Sequence, residues 1–234
     1  HIGMDEAYMV GLGRYLDLHG WKPRFEVLRE HLAHISEIAK KYGFSCMLWS
    51  DMFVKAANGG EYYPETFRMT QELVDAVPPE MQLVYWDYSH TEQSFYEKMI
   101  DGHRNFRNEL WFSGVAWSCL GFTPHNRFSM RAADASMAAC RGRGVENVLI
   151  TSWKDDGAES SLFSVLPALA YIAANRERPA GEEEAARIFR DAVGEEFADM
   201  LSLDLPDEAD GIGTLNNPVK YALYNDPFLG LFDY

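Results

Sequence analysis

Phe44-Ser45-Cys46-Met47-Leu48-Trp49-Ser50-Asp51-Met52 is the stretch on which the fold turns. Residues 44–49 carry no charge and are rich in aromatic and apolar side chains. The run is too short for a helix and predicts a strand covered on both faces. It ends at a tryptophan, and the polar Ser50-Asp51 pair follows. The segment before it has a different period. Phe25, Leu28, Leu32, Ile35 and Ala39 fall on one face of a helix over 24–41, with Gly43 where its C-cap belongs.

The pair of patterns recurs along the chain. Segments 83–86, 110–117 and 147–153 read as further buried strands. Helices are predicted over 64–77, with Pro64 at its start, over 91–108 and over 128–143, with Gly102 and Gly144 in C-cap positions. A further helix spans about 182–203, flanked by the acidic, Gly/Pro-broken runs 181–184 and 205–213. Strand–helix alternation at this spacing means βαβ units and a parallel sheet. The strands close on Trp49, Trp86, Trp117 and Trp153, spaced 37, 31 and 36 residues apart (86 − 49, 117 − 86, 153 − 117). A (β/α)8 barrel spends about 31 residues on each unit, and the C-terminal ends of its strands line the active-site mouth. One tryptophan at a strand end is ordinarily packing. Four in series suit a pocket that grips the apolar face of a sugar ring.

Composition narrows the function classes without choosing one. The chain has 234 residues, 47% of them hydrophobic, and a formal net charge of −15. That charge argues against binding nucleic acid through its phosphates. No stretch approaches the roughly 20 apolar residues of a membrane span. No signal peptide is visible, an absence of little weight, and the compartment stays unknown, with the cytoplasm favoured over others. Cys46, Cys119 and Cys140 show no metal-binding spacing and read as buried or free thiols. His31 and His34 lie one helical turn apart, but a zinc site needs three or four ligands, so a solvated helix edge is the expectation. Asn58-Gly59-Gly60 reads as a turn or a lid hinge. No metal and no organic cofactor is implied.

The chain opens with His1-Ile2-Gly3-Met4-Asp5-Glu6. Adjacent carboxylates repel, and a bare Asp-Glu pair is ordinarily solvated surface. At a strand end they can divide a task, one ionised and one protonated to donate. These six residues resemble the His-x-Gly-x-Asp-Glu signature of family-20 glycoside hydrolases, the β-N-acetylhexosaminidases, with Met4 where the usual form has a second Gly. Met47 through Met52 is similar to that family's Trp-Asp-Glu strand end, with Ser50-Asp51 in place of the acidic pair. Val84-Tyr85-Trp86-Asp87-Tyr88 resembles its next Trp-bearing strand. Thr151-Ser152-Trp153-Lys154-Asp155-Asp156-Gly157 resembles its last, with Asp155 where many members carry Glu. The likeness covers roughly 1–175 and extends to Tyr224-Asn225-Asp226-Pro227.

The resemblance implies the C-terminal half of a (β/α)8 TIM barrel, strands 4 to 8, over 1–175, and a helical or irregular extension over 176–234. His1 to Gly3 would be the tip of strand 4. The N-terminal half of the barrel would be missing, supplied by another piece of the molecule or by a second copy of the chain. The implied activity is retaining, exo-acting hydrolysis of terminal β-linked N-acetylglucosamine or N-acetylgalactosamine. The substrate's own acetamido group is the nucleophile in that chemistry, the exception to the two-carboxylate rule. Carried over residue by residue, Glu6 is the general acid/base and Asp5 orients the acetamido group. Trp49, Trp86, Trp117, Trp153 and Asp155 bind the sugar. Tyr88, rather than the strand-interior Tyr85, supplies a hydroxyl to the acetamido carbonyl, because the expected Tyr is absent from Trp117-Ser118-Cys119. Two other readings stand beside this one. The chain is an inactive fragment or an amino-sugar-binding surface without turnover, or a two-carboxylate glycosidase in which Asp51, Asp87 or Asp155 faces Glu6.

Overall fold

The computed structural model describes residues 1–155 and 159–208, together with Val219 and Leu223. The chain is an α/β structure. Among the described residues its sheet has four parallel strands, β1 (Met47–Trp49), β2 (Gln82–Trp86), β3 (Leu110–Val115) and β4 (Asn147–Thr151), in the order β1-β2-β3-β4. Leu48 stands opposite Leu83, and Leu83 opposite Leu110. Parallel neighbours need a crossover, and helices supply it. α1 (Arg14–His19) and α2 (Arg24–Tyr42) precede β1, and α3 (Asp51–Ala57) and α4 (Gln71–Ala76) connect it to β2. α5 (Gln93–His103) leads to β3 and α6 (Asn126–Arg143) to β4. α7 (Leu166–Ala174), α8 (Glu182–Val193) and α9 (Phe197–Leu201) follow.

Several boundaries differ from the sequence expectation, each for a local reason. The first strand begins at Met47 rather than Phe44. Gly43, at φ 71°, ends α2 in the left-handed conformation, its N–H reaching the Lys40 carbonyl while the Phe44 N–H reaches that of Ala39. This is the two-bond closure that glycine permits at a helix end. It takes the Phe44 N–H away from any strand partner and leaves the ring exposed. The helix expected over 64–77 shrinks to α4. Thr70 is extended and its side chain caps the Leu73 N–H. The backbone of Arg68 is held on both sides by the Asn58 side-chain amide, and the Pro64 carbonyl accepts from Lys98. Asn58-Gly59-Gly60 is therefore the closing turn of α3, a helix the sequence reading leaves as loop. Gly102 is not a C-cap. It lies inside α5, where a Cβ would sit 2.3 Å from the Phe67 ring. The helix runs into a short 3₁₀ turn, and Arg107 at φ 64° ends it. The helix expected over 182–203 divides at Gly194, φ 84°, into α8 and α9.

β3 and β4 also stop early, so Trp117 and Trp153 stand two residues beyond their strands. The Ala116 N–H makes the last cross-strand bond, to the Thr151 carbonyl, and the Trp117 N–H goes to Ser129 Oγ at 3.0 Å. Trp49 and Trp86 do close β1 and β2.

The described chain forms two compact units. The first comprises 1–86, 97–113 and 143–148. It buries Leu32, Leu48, Phe53, Leu83, Val84, Tyr85, Met99, Ile100 and Phe112 almost completely, at about 1.5–3 kcal/mol of transfer free energy for each large side chain. The second comprises 87–96, 114–142 and 149 onward. Its main cluster gathers Met130, Ala170, Tyr171, Ala185, Phe189, Phe197 and Leu201, so α8 and α9 share one core with α6 and α7. Cys46, Cys119 and Cys140 are buried, and among the described residues none of them forms a disulfide. Among the described residues, no helix is long and apolar enough to cross a membrane.

Candidate active site

In the first unit the opening residues are tied to the end of β1. The Ile2 N–H donates to the Met47 carbonyl at 2.9 Å, and the Trp49 N–H to the Gly3 carbonyl at 3.1 Å. His1 holds the Gly3 N–H with Nδ1 at 3.0 Å and sets its ring 4.4 Å from that of Trp49. Residues 1–3 thus run beside β1, where a neighbouring strand tip was expected, without continuing as a strand. Gly3 turns left-handed at φ 73°, and Met4 (77°) and Glu6 (46°) do the same without being glycines. Each such residue costs about 1–3 kcal/mol and persists only where its surroundings hold it. For Glu6 the holder is Asp51, the first residue of α3, whose Oδ2 accepts the Glu6 N–H at 3.0 Å.

The two carboxylates end up exposed and in different surroundings. Asp5 lines a cavity of about 660 Å³ with Ile2, Met4, Tyr15, Val27 and His31. Glu6 Oε1 accepts from the Tyr8 hydroxyl at 3.3 Å, and the Tyr8 oxygen accepts from Lys55 Nζ at 3.1 Å. Lys55 also reaches Asp51 Oδ2 at 3.5 Å. Asp51 is fully buried, and among the described residues its Oδ1 has no hydrogen-bond partner. Burial raises its pKa, against the pull of the Glu6 N–H and of Lys55. Burial also opposes the charge on Lys55, but Tyr8 and Asp51 outweigh it and raise that pKa. Tyr8 and Lys55 escaped the sequence reading. The signal available was an Asp and a Lys one helical turn apart directly after a strand end, a spacing that pairs side chains.

Behind the same strand ends runs a second polar chain. His103 Nδ1 lies 2.7 Å from the Met99 carbonyl, so that nitrogen carries the proton. Nε2 then accepts from Ser50 Oγ at 2.8 Å, Ser50 accepts from Tyr62 at 3.2 Å, and Tyr62 accepts from the Trp86 N–H at 3.1 Å. Burial lowers the His103 pKa to about 4 and keeps the ring neutral. Tyr62 and Tyr63 flank the Trp86 ring, at 4.9 and 6.3 Å between centroids. Trp49 is 7% exposed, so it packs more than it presents a face. Tyr85 is wholly buried among His103 and Phe112.

The second unit holds the remaining candidates. Trp117 Nε1 donates to the Tyr88 carbonyl at 2.6 Å, and the two rings meet edge to face at 6.2 Å. Ser118 donates to the Trp153 carbonyl at 3.0 Å and accepts from Ser152 at 2.9 Å, which fixes the chain just past β4. Trp153 keeps 36% of its surface exposed, and Asp155 is exposed. Lys154 between them bonds the Ser160 carbonyl, and burial lowers its pKa. Asp87 is turned inward, 1% exposed, accepting from the N–H groups of Ser89 and His90 and lying 2.9 Å from His90 Nδ1. Asp156, Gly157 and Tyr224 through Pro227 lie outside the described residues.

His31 and His34 are exposed and border the Asp5 cavity. Among the described residues no three His, Cys, Asp or Glu side chains gather as metal ligands. Compared with models of known protein families and with curated proteins, the sequence gives no match.

Proposed function

We propose that this chain carries the acid/base pair of a retaining, exo-acting β-N-acetylhexosaminidase built on part of a (β/α)8 barrel. The observation that carries the reading is the handling of Glu6. A non-glycine residue is held left-handed by a buried carboxylate on its own N–H, and its side-chain carboxyl is left in the open. A fold has no use for that expense at a solvated loop, whereas an acid that must meet a glycosidic oxygen does.

In this reading Glu6 protonates the leaving oxygen and later takes a proton from water. Asp5, its neighbour in sequence, faces the substrate's acetamido N–H and leaves the amide oxygen to attack the anomeric carbon. By the resemblance, Trp86, Trp117 and Trp153 are assigned to the sugar's apolar face, Asp155 to its hydroxyls and Tyr88 to the acetamido carbonyl, while Trp49, 7% exposed, serves as packing. The burial of Tyr85 favours Tyr88 for that role. A protein nucleophile opposite Glu6 is disfavoured for two of its three candidates. Asp51 is committed to the Glu6 N–H and Asp87 to the turn at 89–90, and both are buried.

A thiazoline mimic of the cyclised intermediate separates catalysis from plain sugar binding. Calorimetric titration should show it binding at least about 10²-fold more tightly than N-acetylglucosamine, as transition-state analogues do. Equal affinities for the two would favour an amino-sugar-binding surface instead.

A further inference from the structure

The polar groups around Glu6 form a closed ring that begins and ends on the same residue. From the Glu6 N–H it passes to Asp51 Oδ2 (3.0 Å), then to Lys55 Nζ (3.5 Å), the Tyr8 hydroxyl (3.1 Å) and back to Glu6 Oε1 (3.3 Å). The Tyr8 N–H adds a short backbone bond to the Glu6 carbonyl, 2.7 Å. Directions are consistent throughout. The ammonium donates twice, the tyrosine hydroxyl accepts from it and donates to the carboxylate, and Asp51 accepts at both of its contacts.

Lys55 is the hub. Its ammonium sits 4.7 Å from the Tyr8 ring centre and 5.8 Å from that of Tyr62, within reach of favourable cation–aromatic contact. It is the only cation on Asp51 in this ring, and Asp51 is buried with its second oxygen unpartnered among the described residues. A buried carboxylate needs such a partner to keep its charge.

We propose that Lys55, Tyr8 and Asp51 are positioning residues for Glu6. Lys55 sets the acid's backbone through Asp51 and its carboxyl through Tyr8, so that one ammonium fixes both ends of the residue. This rests on the reading of Glu6 as the general acid. A Lys55–Asp51 pair serving only to close the first turn of α3 would not reach the carboxyl at all.

Amide hydrogen exchange tests the ring without relying on turnover. In Lys55→Met the Glu6 amide should exchange about tenfold faster, the worth of roughly one net hydrogen bond. The Ile2 amide, which donates to Met47 in the same segment, should keep its rate, and Lys55→Arg should restore protection at Glu6. In Tyr8→Phe the Glu6 amide should be unaffected, while kcat on a nitrophenyl β-N-acetylglucosaminide falls about tenfold at unchanged KM. Unchanged Glu6 exchange in Lys55→Met overturns the proposal. So does equal acceleration at Ile2, which would mark a general loosening. Glu6→Gln assayed alongside keeps the two ideas apart. Wild-type turnover in that variant would remove the acid role, and the exchange pattern would still decide the ring.

Discussion

Ser50 donates its hydroxyl proton to Nε2 of His103 across 2.8 Å, and the far side of the same imidazole fixes that direction. Nδ1 faces the Met99 carbonyl, which only accepts, so Nε2 is left as the acceptor. The bond joins the residue after β1 to the end of α5, and through Tyr62 it reaches the last N–H of β2. Two strand ends that carry Trp49 and Trp86 are thereby registered on one buried imidazole.

Because that imidazole is neutral when folded, it makes stability depend on pH. Its pKa is depressed to about 4 by burial, against about 6.5 in the unfolded chain. The unfolded state therefore binds the extra proton between these values. Stability from this group is full above pH 6.5 and is lost as pH falls toward 4, by roughly 3 kcal/mol over the window. Its surroundings, Ser50, Tyr62, Phe67, Tyr85 and Phe106, carry no charge that would offset this. Urea unfolding between pH 4.5 and 7.5 should show the slope, and His103→Gln should flatten it. An identical slope in both proteins would place the titration elsewhere.

Gly102 is required by contact rather than by conformation. A methyl group there meets the Phe67 ring at 2.3 Å. Gly102→Ala should cost about 1–3 kcal/mol, the usual range for overpacking. Adding Phe67→Leu should recover part of the loss. Thermal denaturation of the two variants reads both numbers, and a neutral single substitution would contradict the packing account.

The proposed function gives Asp5 and Tyr88 roles toward the acetamido group, and on that proposal their loss should depend on the substrate. Asp5→Asn and Tyr88→Phe are each expected to lower kcat/KM on an N-acetylglucosaminide by about 10- to 10³-fold, the scale of one lost transition-state contact. On a matching simple glucoside neither should matter. Equal losses on both substrates would count against the assignment.

The sequence reading located the four strands and the four longest helices of the described residues because their signals are local. Residues 83–86 are apolar throughout, and the periodicity of 24–41 places Leu28, Leu32 and Ala39 inward, where they are found. What it missed depends on which partner a backbone or side-chain group takes, near or far in sequence. The Phe44 N–H looked available for a strand until Ala39 claimed it, and residues 64–70 looked helical until Asn58, 10 residues before Arg68, took both backbone groups of that residue. Gly102 looked like a cap because nothing in its neighbourhood announces Phe67, 35 residues away (102 − 67).

The candidate site divides along the same line. Asp5 and Glu6 stand out as an improbable pair, and the tryptophans stand out by their spacing. The residues that hold them do not. Tyr8 and Lys55 are ordinary surface types 47 residues apart, and only the turn through left-handed Met4 and Glu6 brings them together. Two of the four tryptophans also proved to stand beyond their strands rather than at the ends, where serine side chains take over from the ladder, Ser129 at the Trp117 N–H and Ser118 at the Trp153 carbonyl.

The measurement that bears most directly on the account is release of nitrophenol from nitrophenyl β-N-acetylglucosaminide by the chain and by its Glu6→Gln variant. The account predicts turnover in the first and a loss of at least about 10²-fold in the second, as befits a general acid. Equal turnover by both proteins would contradict it.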